Sequence, residues 1–196
     1  MGTAHRDTVL RDKIDDDVSA AAAGDHRARA RLFAHLYPLI TRYCRARIGM
    51  HLRDMADDVV QESLMSVLQA LPKYRVTGSS FLAFAYGIAA HKVADARRRL
   101  ARNRTDPVND VPDMAWDGVG PEQHALRSEL SARMGTLLGE LSEWQREILI
   151  LRIVVGLSGK ETAEAIGSTS GAVRVAQHRA LSKLRAAIAV EQGLLV

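Results

Sequence analysis

A single cysteine, Cys44, stands in a chain of 196 residues. One thiol excludes an intrachain disulfide and any zinc site built on several cysteines. In its setting, ITRYCRARI, its simplest role is that of a small core residue. Aromatic residues are scarce, at 5%. Alanine and leucine are abundant instead, which favours helices over sheets. No apolar run is long enough to span a bilayer, and the N-terminus has no apolar signal-like core. The expected compartment is therefore the cytoplasm, with no membrane insertion. Phosphate-binding glycine loops, HExxH and nucleophile elbows are absent. The 7 histidines are scattered without metal-ligand spacing. Neither a metal, a cofactor nor a catalytic function is expected.

Charge of one sign is missing in two places. No Asp or Glu occurs from Ala165 through Val190, and no Lys or Arg between Thr105 and Gln123. The first gap covers most of Gly159–Leu184, GKETAEAIGSTSGAVRVAQHRALSKL. This stretch reads as a helix, a glycine turn and a second, basic helix. Ala163 is small enough to let another helix cross close by, and Gly167 can take the left-handed conformation that ends the first helix. Thr169 or Ser170 can cap the next one. Val173, Ala176, Ala180, Leu181 and Leu184 recur at helical spacing. The other face offers Arg174, Gln177, His178, Arg179, Lys183 and Arg185. That is the layout of a helix-turn-helix, whose second helix enters the DNA major groove. A plain helical hairpin with a solvated basic face shares the pattern and is the competing reading.

The chain carries a net charge of +4 and is 47% apolar, so it can build real cores and suits a polyanionic partner. Its length allows one large domain or two small ones. Residues 1–18 are polar, contain Asp15, Asp16 and Asp17, and read as a flexible tail whose acids can favour the next helix start. Residues 19–48 carry two helical patterns, the second with Leu32, Leu36, Leu39, Ile40 and Tyr43 and ended by Gly49. An amphipathic helix over about 55–71 follows, with Val60, Leu64, Val67, Leu68 and Leu71 in one stripe and Pro72 as its stop. Asp57, Asp58, Gln61 and Glu62 cluster in its first turns. They either complement the helix dipole or form a docking face for a basic partner.

Lys73–Ser80, KYRVTGSS, reads as a loop, and Phe81–Ala101 as a helix. That helix begins with Phe81, Phe84 and Tyr86 and ends with Arg97, Arg98 and Arg99, with Arg102 just beyond. Terminal arginines suit any helix C-terminus, and the aromatics could be core. Aromatics, small polar loop residues and a basic end together point to nucleic acid, because bases stack on aromatics and cations track phosphates.

Residues 103–124 hold Pro107, Pro112, Pro121, Gly118, Gly120 and several acids. They read as a flexible acidic linker, with Trp116 unusual for a spacer. At about 3.3–3.6 Å per residue, the stretch from Thr105 to Gln123 reaches roughly 65 Å, close to the roughly 70 Å of two DNA turns. A second domain is expected over 125–188. Leu130, Met134, Leu137, Leu138 and Leu141 supply one helix face there, and Trp144, Ile148, Leu149 and Leu151 another. Residues 189–196 are left as a C-terminal tail. The expected fold is all-α, with two small helical domains, 19–102 and 125–188, joined by the linker.

Taken in order, these segments resemble a bacterial RNA polymerase sigma factor of the extracytoplasmic-function group, closest to the actinobacterial D-type members. ADDVVQESLMSVLQALPKY, from Ala56 to Tyr74, looks like region 2.2. FLAFAYGIAAHKVADARRR looks like regions 2.3 and 2.4. LSEWQREILILRIVVGLSGKETAEAIGSTSGAVRVAQHRALSKLR, from Leu141 to Arg185, looks like region 4.

The resemblance implies promoter-specific initiation with core RNA polymerase, bound through its β′ clamp helices and β subunit, on promoter DNA, and an anti-sigma partner. It places Asp57, Asp58, Gln61 and Glu62 on the β′ contact. It places Thr77, Gly78, Ser79, Ser80, Phe81 and Phe84 at the single-stranded minus-10 element, with Lys92, Arg97, Arg98 and Arg99 on backbone phosphates. Thr169, Ser170, Arg174, Gln177, His178 and Arg179 fall at the minus-35 element. Family members often have tryptophan where Phe84 stands and asparagine where His91 stands, departures that bear on how minus-10 is read. A stand-alone helix-turn-helix regulator is the alternative. An enzyme acting on nucleic acid through Asp57 and Asp58 is disfavoured, because adjacent helical residues point in different directions.

Overall fold

A computed structural model describes residues 3–49, 52–75, 80–103 and 136–191, and all the regular structure among them is helical. The first unit comprises α1 (Thr3–Ala22), α2 (His26–Ile48), α3 (Arg53–Ala70) with a short 3-10 turn at Leu71–Lys73, and α4 (Phe81–Asn103). The second comprises α5 (Glu143–Leu149), which runs on as a π-helical turn over Ile150–Val155, then α6 (Gly159–Ala165) and α7 (Ser170–Glu191). Thr77, Gly78 and Ser79, the expected linker beyond Asn103, Trp116 and the first residues of the expected second domain lie outside the described residues.

The N-terminal stretch departs from the expected tail. Residues 3–18 belong to α1, and its C-terminal half is anchored: Ile14, Val18 and Ala21 are buried against α2. Asp17 takes the Arg31 guanidinium in a two-pronged pair, with Oδ1 2.5 Å from Nη2 and 3.0 Å from Nε. The polar composition hid this, because the buried positions are few and their spacing is broken by charged neighbours. At the other end α7 continues to Glu191, past the expected boundary at 188.

Asp25 caps α2, accepting hydrogen bonds from the backbone N–H of Arg27 (2.7 Å) and Ala28 (3.1 Å). These bonds favour the charged carboxyl and hold it below its ordinary pKa. α2 continues past Pro38, which sits on an exposed face. Its inner stripe, Leu32, Leu36, Ile40, Tyr43 and Cys44, is fully buried. Burial pushes the Cys44 thiol up to about 12, so it packs as an inert core residue.

The two units are not merely tethered. Ile150, Leu151, Leu157 and Ala165 of the second unit belong to the same apolar core as α1–α4. Two smaller clusters complete the second unit: Leu141, Leu149 and Ala180, and then Ile148, Ala163 and Val173. Trp144, expected on an inner face, is instead exposed. The π turn that follows α5 adds a residue per turn. It leaves Ile153 and Val154 exposed, while Ile150 and Leu151 stay inside.

Candidate nucleic-acid interface

α3 buries Ala56, Val59, Val60, Ser63 and Val67 along one stripe. Asp58, Gln61 and Glu62 lie on the opposite side and are exposed, and Asp57 is half-buried. Two of the four acts as an electrostatic partner within the chain. Asp57 pairs with Arg45 of α2 at 3.0 Å, and Glu62 lies 3.8 Å from Lys92 and 3.7 Å from Arg99 of α4. Exposed pairs of this kind contribute about 0–1 kcal/mol, so they exchange readily for an outside partner. Glu62 thereby links the expected polymerase face to two expected phosphate contacts.

α4 starts beside an aromatic cluster. Tyr74 meets Phe81 edge-on at 5.0 Å between centroids and Phe84 at 5.0 Å in a tilted arrangement. Phe81 is buried, so its ring supports the cluster from beneath; Phe84 is half-buried and is the ring nearer solvent. Ser80 immediately precedes the helix and accepts the first backbone bond, from Phe84. At the far end Arg98 pairs with Asp95 within its own helix, and Arg97 pairs with Glu143 of α5 at 2.5 Å. The departure at His91 is an exposed ring whose Nδ1 lies 2.8 Å from the Gly87 carbonyl one turn back.

In the second unit, Ser158 opens α6 with a capping box completed by Glu161. Gly167 takes φ +64, Ser168 N–H bonds the Ala163 carbonyl at 2.8 Å, and Gly167 N–H bonds that of Glu164. This is a Schellman closure, and it turns the chain sharply toward α7. Thr169 caps α7, accepting from Ala172 N–H at 3.2 Å, which settles the choice between Thr169 and Ser170. Val173 and Ala180 are buried, whereas Arg174, His178 and Arg179 are exposed. Gln177 is half-buried, and its side-chain oxygen accepts from Arg152 Nε at 3.1 Å. Its amide N–H groups remain the ones that can address an acceptor on a base edge.

Residues that composition gave no reason to single out join the two units. Tyr43 of α2 donates to Glu147 of α5 at 2.5 Å, and Arg47 Nε lies 2.6 Å from the same carboxylate. Arg47 is only 6% exposed and also meets Glu143, at 3.2 Å. Glu161 accepts from the Ser80 hydroxyl at 3.0 Å, and Glu164 from its backbone N–H at 3.3 Å. The capping boxes at Ser142 and Ser158 were readable as S-x-x-Q and S-x-x-E. The contacts across the units had no local signal, since their partners lie 46–104 positions apart. Among the described residues there is no metal-ligand cluster, and no helix is long and apolar enough to cross a membrane.

Sigma-70 region 2 matches residues 32–103, and Sigma-70, region 4 matches residues 131–184. This chain belongs to the extracytoplasmic-function group of RNA polymerase sigma factors. It is 51% identical over 180 residues to the ECF RNA polymerase sigma factor SigD of Mycobacterium tuberculosis, a match covering 91% of this chain and 85% of the relative. It is 46% identical over 175 residues to the ECF RNA polymerase sigma factor ShbA of Streptomyces griseus, covering 86% and 92%. The solved structure of CnrH in complex with the cytosolic domain of CnrY aligns with a TM-score of 0.68 at 27% identity, covering 91% of this chain and 98% of that one.

The sigma factor therefore binds core RNA polymerase and directs promoter-specific transcription; it confers specificity and catalyses nothing itself. A stand-alone regulator is not favoured, because both sigma regions occur in order in one chain.

Proposed function

We propose that the labour of the sigma factor is divided among three helices. The exposed side of α3, with Asp58, Gln61 and Glu62 and with Asp57 at its edge, docks on the β′ clamp helices of core polymerase. The residues from Thr77 to Ser80 and the start of α4 read the melted minus-10 strand, with Phe84 as the ring available for stacking and Phe81 supporting it. Lys92, Arg97, Arg98 and Arg99 hold backbone phosphates. α7 lies in the major groove at minus-35, with Thr169 and Ser170 at its start near the phosphates and Arg174, Gln177, His178 and Arg179 facing DNA.

One observation carries this division: α7 is free of acid through Val190 and exposes its basic side on a Schellman-closed helix-turn-helix, while the acids of α3 face solvent on the other unit. A duplex can be read by a helix in the major groove. A melted strand instead needs unstacked bases held by side chains, at the cost of unpairing, which polymerase shares. The residues between Asn103 and Thr136 join the two readings, and their acidic, proline-bearing composition suits an extended tether. Domain limits of 19–102 and 125–188 fit this scheme, with α1 completing the first unit.

The site of action is the cytoplasm, where promoter DNA and polymerase meet. An anti-sigma partner belongs to the same proposal, supported by the solved relative CnrH being held in a complex with the cytosolic domain of CnrY. Footprinting of core polymerase reconstituted with this chain tests the scheme. Protection of upstream duplex that disappears on changing Arg174 and Arg179 to alanine, with downstream strand opening retained on a strong minus-10, is the expected result. Loss of upstream and downstream signals in strict proportion would contradict the division.

A further inference from the structure

α7 carries two valines, Val173 and Val175, that its own geometry sends to opposite sides. Val173 and Ala180 are buried in the apolar clusters of the second unit. Val175 is 48% exposed and belongs to none of the apolar clusters found among the described residues. At about 100° per residue, it stands about 160° around the helix from Val173 and about 140° from Ala180. It therefore sits on the outermost ridge of α7. Gly171 precedes it by one turn on that ridge, and His178, Arg179 and Ser182 follow; all four are exposed. The other exposed large apolar residues of α7, Ile188 and Val190, lie at the far end of the helix.

The fold gives Val175 no work. A β-branched side chain is a mediocre helix former, and one left in water adds nothing to the core. Its surroundings narrow what it meets outside the chain. Arg174, His178 and Arg179 stand around it, and an apolar protein patch laid on them would strip water from guanidinium groups without giving them partners. A DNA groove suits the mixture, because phosphates and base edges take the polar groups and one base edge is itself apolar: thymine alone presents a methyl group in the major groove. Gly171 agrees with a close approach on this ridge. A Cβ there would find only Thr169 Oγ1, at 4.0 Å, and its φ is not left-handed. Neither internal packing nor backbone conformation calls for glycine, whereas a surface coming close to the backbone does.

We propose that Val175 is a specificity-determining residue of the upstream site: its side chain packs on the C5-methyl of one thymine in the minus-35 duplex, while Arg174, His178 and Arg179 engage the polar groups around it. This rests on α7 being the minus-35 helix, as set out above. The N-terminal part of a recognition helix lies against the base edges, and Val175 is in the second turn of α7. A cytosine at that position would set a polar amino group in the groove and no methyl, leaving Val175 desolvated without an apolar partner.

The test uses core polymerase reconstituted with the full-length chain and the tightest minus-35 duplex it selects from a randomised pool, joined to a constant minus-10 element. Each thymine of the selected element is replaced in turn by uracil, which lacks only the C5-methyl. One replacement is expected to weaken wild-type binding about fourfold, the effect of one methyl left unburied. Val175→Ala, with an unchanged helical signal, should bind the thymine and uracil forms of that duplex equally well. A selected element without thymine, uracil replacements that never weaken binding, or a thymine preference retained by Val175→Ala would each overturn the inference. So would a Val175→Ala chain that loses affinity for core polymerase in the absence of DNA, since the side chain would then serve a protein contact. The reading of α7 fails differently: Arg174→Ala with Arg179→Ala would then leave binding to the thymine duplex unchanged, and the inference would fall with it.

Discussion

The phenol of Tyr43 donates a 2.5 Å hydrogen bond to Glu147, a residue 104 positions away in the other half of the chain. Burial, reinforced by the negative charge of Glu147, holds the phenol proton well above its ordinary pKa. The neighbouring Tyr86 ring meets Tyr43 edge-on at 5.5 Å, so the donor is fixed by packing as well as by its acceptor. Tyr43→Phe keeps the ring and removes the donor. It should cost about 1–3 kcal/mol, because Glu147 then stays buried with Arg47 as its remaining strong partner. A thermal melt that matches wild type would show that this bond contributes nothing to joining the units.

Glu143 predicts an acid dependence. Burial pushes its carboxyl up, but the charge of Arg97 and the hydrogen bond and charge of Arg47 pull harder, so it titrates below its ordinary value. Folding thus favours the charged form. The stabilisation is present above the ordinary carboxylate pKa and is lost as pH falls through the lowered, folded value. The two units should loosen in that acid window before the helices melt, seen as a rise in scattering radius at constant helical signal. Glu143→Gln should flatten the acid response. A radius independent of pH until global unfolding would contradict the assignment.

The Arg174 and Gln177 side chains sit three residues apart on α7 and share a face. If either contacts a base, alanine there should cost roughly 1–3 kcal/mol of promoter affinity and relax preference at particular minus-35 positions. Gln177 begins tied to Arg152, so Arg152→Ala should leave the base preference unchanged and alter only affinity. Binding selection on randomised minus-35 duplexes with the reconstituted polymerase reads both. Weakening with no change in preference for either Arg174→Ala or Gln177→Ala would reject base reading by this pair.

Much of the fold was legible in local pattern. The stripe of α3, the length of α4 and the turn at Gly167 follow from apolar spacing, a proline stop and one glycine. The N-terminal helix was not legible, because Ile14, Val18 and Ala21 are buried among charged neighbours and the pairing of Asp17 with Arg31 is tertiary. The face of α5 was misjudged at Trp144, which is exposed although Ile148, one turn on in the same helix, is fully buried: at the start of a short helix, apolar spacing does not say which positions find a neighbour to pack on. At the candidate site, the exposure of Asp58, Gln61, Glu62, Arg174, His178 and Arg179 agreed with their periodicity. The burial of Phe81 did not show in the sequence, because an aromatic at a helix start serves a core and a stacking platform equally well. Glu143, Glu147 and Glu164 gave no signal at all, and Glu161 only that of a helix cap; their contacts with the first unit arise only when the second unit is laid on α2 and α4.

The central claim is that the exposed side of α3 brings core polymerase to promoters read by α4 and α7. The most direct measurement is in vitro transcription with purified core polymerase, comparing the wild-type chain with Asp58→Lys/Glu62→Lys. The wild-type chain should produce new transcripts whose starts share two upstream elements. The double variant, with an unchanged helical signal and a melt within about 1 kcal/mol of wild type as befits exposed positions, should produce none and should fail to bind core. Undiminished core binding and wild-type transcripts from the charge-reversed chain would contradict the account.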